Sequence, residues 1–328
     1  MKISRRALLA AASVLGIGFG DFAVSPASAQ AWPEKPVTLI NPFPAGGGTD
    51  TFARPLSAEL TKQLGQSFIV DNKGGAGGTL GAGVAARAAK DGYTFFVGAV
   101  HHTIAPSVYA KLTYDLEKDF EPIAVIAMVP HIVSVNPTKI QAKTLKEFIA
   151  YLKANPGKVS FGSAGNGTSH HLAGEMFKGL TGTDILHVPY KGAGPMMQDL
   201  LGGQIDMAFD GLGTSSAQIK AGKLVGLALA APKRSDALPD VPTAAEAGVP
   251  GYEAAAWYGV WAVAGTPKPI KDKMAAEIAK ALKTENIVKV WAGQGAVTGP
   301  AGADMVAFVK SQIESWGKVA KAANVKID

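Results

Sequence analysis

The sequence predicts an α/β protein built from two similar lobes. Short β-rich runs alternate with helical stretches along the chain, which is typical of α/β folds with largely parallel sheets. A unit of strand, glycine-rich loop, helix, strand, second glycine-rich loop, helix and strand begins at residue 37 and recurs in the same order from residue 158. Two apolar extended segments, 121–137 and 251–267, stand outside this repeat. A single doubly wound sheet with regular loops is the alternative.

The individual elements follow from hydrophobic period and from turn residues. Strands are predicted at 37–41, 67–71, 93–99, 123–129, 131–135, 158–163, 184–189, 204–209, 224–230 and 258–264. Helices are predicted at 50–64, 79–90, 144–154, 168–180, 194–202, 214–221, 269–282, 285–293 and 302–322. Thr144 and Glu147 form a capping box that fixes the start of one helix.

The two segments outside the repeat are the natural crossovers between the lobes. The chain then leaves the first lobe near residue 127, builds the second, and returns near residue 256. The first lobe comprises 30–127 together with 256–328, and the second comprises 128–255. Two crossing strands make a hinge, and a hinge between two lobes implies a central cleft that opens and closes.

Residues 1–29 have the pattern of a cleavable signal peptide. Lys2, Arg5 and Arg6 form a basic start, an apolar run follows, and Ala27-Ser28-Ala29 is a small-x-small cleavage site. The apolar run is shorter than the roughly 20 residues that cross a bilayer. Both the twin-arginine and the general secretory export routes fit this pattern. The mature protein is therefore expected to be soluble and outside the cytoplasm.

Composition excludes several classes of function. The chain has 328 residues, a net charge of +6 and no cysteine. The missing cysteine removes thiolate metal sites, thiol nucleophiles and a lipid anchor. Cleavage of the signal peptide removes three basic residues and one acidic residue, which leaves a net charge of +4. Because no basic cluster with interleaved aromatics remains, nucleic-acid binding is not expected.

Two glycine-rich loops, 42–50 and 162–170, run directly into helices. Such loops lie at the carboxyl ends of parallel strands, where ligands bind. Glycine lets backbone N–H groups approach a ligand, and a helix start adds free donors and partial positive charge. The pair therefore predicts an anion site that touches both lobes. The candidate residues here are Pro44, Ala45, Gly46, Gly47, Thr49, Asp50, Ser163, Gly165, Thr168 and His170. Plain tight turns with Thr49 and Thr168 as helix caps are the structural alternative.

Neither loop has a nucleotide or esterase motif. Gly48 precedes Thr49-Asp50, whereas a phosphate-binding P-loop continues with Lys. Phe161 stands where a nucleophile elbow needs glycine before Ser163.

Further candidate ligand residues follow other strands. His101 and His102 come after the strand at 93–99, and either donate to a carboxylate or cap the loop. Asp210 either selects a cationic or hydroxyl group of the ligand or holds a loop amide. Trp257 and Tyr258 open the return crossover and either wall the cleft or belong to the core. Tyr190 starts the second glycine loop of the second lobe.

The pattern of the remaining histidines does not indicate a metal site. His171 and Glu175 share one helical face, but no further ligand completes a cluster, so an ordinary polar face is favoured. His131 and His187 lie in predicted strands, where a hydrogen-bonded structural histidine is expected.

Seven motifs in order resemble the periplasmic receptors of tripartite tricarboxylate transporters, also called Bug-type receptors. The resemblance covers essentially the whole mature chain. The matching segments are 41–50 (NPFPAGGGTD), 71–78 (DNKGGAGG), 119–123 (DFEPI), 162–168 (GSAGNGT), 187–192 (HVPYKG), 238–248 (LPDVPTAAEAG) and 264–267 (AGTP).

The resemblance implies a two-lobed periplasmic binding protein of type II-like architecture. It implies a small organic anion as ligand, such as a dicarboxylate, a tricarboxylate or an aromatic carboxylate, and delivery to a membrane permease of large and small subunits. Residues 44–49 and 163–168 would hold one ligand carboxylate. His101 and His102 depart from the residues usual at that turn, so the resemblance does not name the ligand. No cofactor and no catalysis are expected, and the receptor is expected to be a monomer.

Two rival functions remain open. A secreted enzyme acting on a small carboxylate would use His101, His102 or Asp210 as acid or base. A receptor that presents its ligand to a sensor would share the fold without the transport role.

Overall fold

The computed structural model describes residues 32–327. Residues 33–327 form one compact unit. The predicted signal peptide, 1–29, lies outside the described residues. Within 32–327, no helix has the length and apolar character that crossing a membrane requires.

Nine strands and ten α-helices make up this described part of the chain. In chain order they are β1 Val37–Asn41, α1 Gly48–Leu64, β2 Phe68–Asn72, α2 Thr79–Ala86, β3 Thr94–Ala99, α3 His101–Val108, β4 Phe120–Val135, α4 Leu145–Ala154, β5 Ser160–Ser163, α5 Ser169–Thr181, β6 Leu186–Pro189, α6 Ala193–Leu201, β7 Met207–Gly211, α7 Leu212–Lys220, β8 Val225–Leu229, β9 Ala255–Val263, α8 Lys268–Ala281, α9 Glu285–Ala292 and α10 Gly302–Ala322. The predicted helices all form, and the capping box is present, with the Glu147 N–H donating to the Thr144 hydroxyl at 3.2 Å.

The architecture is two-lobed. In the first lobe, β1 lies between β2 and β3 and runs parallel to both. In the second lobe, β5 lies between β6 and β7 and again runs parallel to both. The carboxyl ends of β1, β3, β5 and β7 each lead into a helix, so the loops predicted to carry chemistry occupy equivalent positions in the two lobes.

The two crossover segments form a central antiparallel pair. The strand order is β2-β1-β3-β9-β4-β7-β5-β6, with β8 also pairing with β4. Residues 120–130 of β4 pair with β9, and residues 131–135 pair with β7 and β8. The sheet is therefore mixed rather than largely parallel, because both crossover strands run antiparallel to their neighbours. The lobe boundaries predicted at 127/128 and 255/256 stay a prediction.

Two predicted details were wrong. The strands expected at 123–129 and 131–135 are one strand of 16 residues, β4, which continues through Pro130. The pairing of β4 with β9 is interrupted by bulges near Pro122 and Val125. The first of these accommodates Pro122, which has no N–H group to donate. His101 and His102 do not form a turn but begin helix α3, which α10 covers from the C-terminal part of the chain.

Candidate functional site

A small cavity lies where helix starts from both lobes meet. Its volume is about 10 Å³, which is room for about one water molecule. Its lining residues are Phe43, Gly47, Gly48, Thr49, His101, Ala164, His170, Ala193 and Tyr258. Four helices, α1, α3, α5 and α6, begin at or next to this lining. Because the first N–H groups of each helix have no intrahelical acceptor, the cavity combines partial positive charge with free donors.

The first loop is braced by Asp50, which the structure places behind the cavity lining. The Asp50 carboxylate accepts hydrogen bonds from the Gly46 N–H at 3.0 Å and from Arg54 at 2.7 Å. It also accepts from the side-chain amides of Asn41 and Asn72. Burial alone would raise the pKa of Asp50, but these hydrogen bonds and the Arg54 charge hold it below its usual value. Asp50 therefore shapes the loop and is already fully engaged by it.

The other candidates of the first loop divide into two groups. Gly47 and Thr49 line the cavity. Pro44, Ala45 and Gly46 do not, and instead lie against the start of α6 in the second lobe, where a Cβ on Gly194 would stand 2.6 Å from the Ala45 carbonyl oxygen. The expectation that Thr49 caps α1 was wrong, because the N-cap is Gly47 and Thr49 lies within the first turn.

The second loop uses its hydroxyl groups to hold its own shape. The Thr168 hydroxyl donates to the Gly165 carbonyl at 2.7 Å, and Thr168 makes no side-chain cap on α5. Ser163 Oγ lies 2.6 Å from His187 Nε2 and also contacts Gly165. Within this loop it is the backbone around Ala164, rather than these hydroxyls, that borders the cavity.

Buried imidazoles and one carboxylate form a cluster beside the cavity. His170 Nε2 donates to Asp210 Oδ1 at 3.1 Å, and Asp210 Oδ2 accepts from the hydroxyls of Thr214 and Ser215. The ring centres of His101 and His131 lie 5.5 and 5.0 Å from that of His170. Asp210 thus binds side chains, rather than the loop amide or the ligand group considered from sequence.

Ser169 fixes the two outer histidines of this cluster. Its N–H donates to His101 Nδ1 at 3.0 Å. Its hydroxyl lies 3.0 Å from His131 Nε2, and His131 Nδ1 lies 3.2 Å from the Phe209 carbonyl oxygen, which can only accept. His131 is therefore protonated on Nδ1 and accepts from Ser169 through Nε2. Burial lowers the pKa of His131 to about 3 and that of His101 well below its ordinary value, so both rings are neutral.

The two lobes are in direct contact across the cavity. The hydrogen bond from Ser169 to His101 joins α5 to α3. The Tyr109 hydroxyl, from the end of α3, lies 3.0 Å from the carbonyl oxygens of both Ala76 and Asn166. Asn166 belongs to the second-lobe loop, so this hydroxyl bridges the lobes. The structure therefore represents a closed cleft.

Known proteins that are similar in sequence to this chain belong to a family of transport receptors. The model of the family described as "Tripartite tricarboxylate transporter family receptor" matches residues 52–325. The chain belongs to this receptor family. BugT of Bordetella pertussis is 35% identical over 319 residues, which cover 96% of this chain and 98% of BugT.

Solved structures of similar proteins contain carboxylates. An R. palustris protein solved with adipate is 38% identical, with a TM-score of 0.87 over 90% of this chain and 99% of that one. MatC of Rhodopseudomonas palustris, solved with bound malate, is 35% identical, with a TM-score of 0.83 over 88% of this chain and 99% of MatC.

Three further predicted site residues, outside the two glycine loops, do not line the cavity. His102 is fully buried, with Nδ1 at 3.0 Å from the Ala99 N–H group. Tyr190 donates its hydroxyl to Asp199 at 2.8 Å. Trp257 points away from the cavity, because successive strand residues face opposite sides, and its place in the cavity lining is taken by Tyr258.

A larger groove of about 950 Å³ lies on the Trp257 side of the crossover strands in this receptor. Trp257 donates through Nε1 to Gln312, and so does Trp316. None of the glycine-loop residues borders this groove.

Sequence reasoning missed several cavity residues of the receptor. Phe43 and Gly48 sit inside the predicted loop, but only the folded loop shows that they face the cavity. Ala193 begins α6 directly after Gly192, whose loop 190–194 was recognised as an echo of 72–77. This repeated loop pattern was the sequence signal that α6 also contributes to the cavity. No group of three or more His, Cys, Asp or Glu able to hold a metal occurs in the described part, and His171 instead stacks on His187 with ring centres 4.0 Å apart.

Proposed function

We propose that this receptor binds a small organic carboxylate in the cavity between its lobes and delivers it to a tripartite tricarboxylate transporter permease of large and small subunits. The observation that carries the proposal is the meeting of four helix starts from both lobes around one cavity. Backbone N–H groups and aligned helix dipoles favour an anion there. Adipate and malate in the two similar solved structures support a carboxylate as that anion.

The ligand-binding groups we propose come from both lobes. Gly47, Thr49 and His101 belong to the first lobe, with residues 30–127 and 256–328. Ala193 and His170 belong to the second, with residues 128–255. The change of β4 partners after Pro130 supports this division. An anion that contacts both sets of donors stabilises the closed form over the open form, which is the differential affinity that closure requires.

The proposed setting is the periplasm. The signal-peptide pattern of 1–29 supports export, and the sequence has no cysteine for a lipid anchor. We propose that the mature receptor works there as a monomer. In this reading the closed lobes present one composite surface, which the permease distinguishes from the open form.

A glycine substitution series at Gly47 tests the site. A Cβ at Gly47 would lie 3.4 and 3.6 Å from the backbone nitrogens of Gly194 and Ala193, which is ordinary contact. The methyl group of Gly47→Ala therefore fits, but it covers part of the approach to the α6 N–H groups and should weaken binding. The branched side chain of Gly47→Val should block these donors and abolish binding. Gly179→Val is the matched control, because no heavy atom lies within 4 Å of a Cβ there.

The measurement is a thermal-shift screen of adipate, malate, citrate and benzoate, followed by calorimetry. A ligand that binds only the folded protein raises its melting temperature. Equal affinity of wild type and Gly47→Val would refute the site. Mass spectrometry of the bound ligand separates the receptor from the rival enzyme, since an enzyme would convert its ligand.

A further inference from the structure

The groove of about 950 Å³ beside Trp257 takes no part in the proposed carboxylate site. Its lining comes from Met176 and the 230–237 segment, from the 292–297 segment and from helix α10. A volume of this size lies within the range of roughly 300–1,000 Å³ that is typical of sites for drug-sized ligands. The groove is therefore large enough for a ligand of its own.

The lining of the groove is mainly apolar. Trp257 and Trp316, which are 1% and 8% exposed, contribute two indole rings. Met128, Met176 and Val319 are half-buried and add further apolar side chains. Indole rings present large, rigid apolar faces, and methionine side chains adapt to the shape of an occupant. This lining favours a ligand with an aromatic or aliphatic body.

Gln312 adds one polar group of fixed orientation to this lining. Its Oε1 accepts from Trp257 Nε1 at 3.0 Å and from Trp316 Nε1 at 3.2 Å. Because an indole N–H group can only donate, these contacts identify the oxygen of the amide, and the NH₂ group is its other branch. The Gln312 side chain makes no further hydrogen bond within residues 32–327, so Nε2 keeps both of its donors. A ligand atom that accepts a hydrogen bond would satisfy this group.

The charges around the groove do not select a charged ligand. The charged residues that line it are exposed and include two of each sign, namely Lys233, Arg234, Asp236 and Glu253. Arg234 is already bound to Glu246 at 2.9 Å. Because these charges balance and are screened by solvent, they give the groove no field that attracts an anion or a cation. The ligand cavity differs in this respect, since the helix starts around it favour an anion.

We propose that this groove is a second ligand site, which binds an uncharged molecule with an aromatic or aliphatic body and a carbonyl oxygen. The indole rings of Trp257 and Trp316 pack against the body of the ligand, and Nε2 of Gln312 donates to its carbonyl oxygen. None of the glycine-loop residues borders the groove, so this site is independent of the proposed carboxylate site.

The uncharged naphthyl ketone prodan is the probe that tests the site, because its emission moves to shorter wavelength in an apolar environment. The mature receptor is titrated into a fixed, low concentration of prodan. The same titration uses dimethylaminonaphthalene, which lacks the ketone, and anilinonaphthalenesulfonate, which carries a negative charge. At the ligand efficiency of drug-sized molecules, prodan should bind with a Kd of about 0.2 mM or lower. The other two compounds should bind more weakly.

Variants of α10 assign the probe to the groove. Gln312→Glu keeps an acceptor for both indole N–H groups, which hold the new carboxylate ionised, and replaces the NH₂ group by an oxygen that repels a carbonyl. It should raise the Kd of prodan by at least about fivefold and change that of dimethylaminonaphthalene by less than about twofold. Ser315→Phe places a ring at an exposed position that lines the groove and should weaken binding of both compounds. Ser311→Phe is the matched control, because Ser311 is exposed one turn earlier and is not part of the lining. Circular dichroism and melting temperature verify that each variant is folded.

Each other outcome overturns the proposal. Prodan binding that does not saturate, or that either Gln312→Glu or Ser315→Phe leaves unchanged, shows that the groove does not bind the ketone. Equal or tighter binding of either comparison compound contradicts the chemical class of the ligand. A wild-type dimer in light scattering that Ser315→Phe dissociates shows that a second copy of the chain covers the groove. Because no carboxylate enters these titrations, failure of the proposed function and failure of this proposal are distinguished.

Discussion

Gly194→Ala is expected to weaken ligand binding without destabilising the free receptor. Gly194 lies in the first turn of α6, and a Cβ there would stand 2.6 Å from the Ala45 carbonyl oxygen and 3.3 Å from the backbone nitrogen of Gly47. These are backbone atoms of the opposite lobe, which side-chain rotation cannot move. Because the clash exists only when the lobes meet, it penalises the closed form alone.

The magnitude follows from the contact distances. Ordinary van der Waals contact begins near 3.4 Å, so the loop must retreat from 2.6 Å by about 0.8 Å. When the lobes part by that distance as rigid bodies, the 3.0 Å hydrogen bond between Tyr109 and Asn166, which joins them elsewhere, stretches beyond bonding range. Loss of one or two hydrogen bonds at about 0.5–1.5 kcal/mol each amounts to about 0.5–3 kcal/mol, or a roughly 2- to 150-fold rise in Kd.

The assay combines calorimetric Kd with urea unfolding of the ligand-free protein. Alanine is favoured over glycine in a helix by up to about 1 kcal/mol, so the free protein should be as stable as wild type or more stable. Gly179→Ala is the control, since it has the same helix effect on α5 and no atom within 4 Å of its Cβ. A wild-type Kd for Gly194→Ala would refute the closed-state contact, and lower stability without ligand would show strain in the open form too.

Three further predictions follow from individual contacts. Asp50→Asn should lower the free energy of unfolding by about 1–3 kcal/mol at pH 7. Because the folded pKa of Asp50 lies below its unfolded value, the difference from wild type should shrink once pH drops below the unfolded value and be lost as pH falls through the folded pKa, which urea titrations at a series of pH values from 7 downward would measure. Tyr109→Phe removes the hydroxyl that bridges the lobes and should raise Kd up to about tenfold with little change in unfolding, whereas an unchanged Kd would contradict the bridge. Gly48→Ala places a Cβ onto the Tyr258 hydroxyl and should destabilise by about 1–3 kcal/mol, and Tyr258→Phe in the same chain should restore part of that loss in a double-mutant cycle.

The elements of the fold that sequence predicts well are those whose signal is local. The glycine loops before α1 and α5 carry their turn residues in the sequence itself, and the repeat from residue 37 to residue 158 gives the second lobe from the first. Helix α3 was missed because it is short and contains Pro106, which lowers helix propensity. It is held by packing against α10, which lies about 200 residues later and leaves no local signal.

The sequence predicts the two loops that border the cavity, but not what each of their residues contacts. Asp50, for example, binds Asn72 and Arg54, an arrangement that depends on how β2 approaches α1. The choice between Trp257 and Tyr258 depends on which face of β9 meets the cavity. Both faces of that strand are buried and both residues are aromatic. The sequence of β9 therefore has no alternation of polar and apolar residues that would show which of the two faces the cavity. The pairing of His170 with Asp210 joins residues 40 positions apart and is likewise tertiary.

The position of β9 between β3 and β4 constrains the order in which the chain can fold. The sheet of the first lobe has a gap until residues 255–263 arrive, although β1, β2 and β3 precede them by more than 150 positions. Until then β3 and β4 present unpaired edges, which are templates for aggregation. The second lobe, whose strands are contiguous in sequence apart from the shared β4, has lower sequence separation and is expected to form first. The strands that are synthesised first would therefore complete their sheet last.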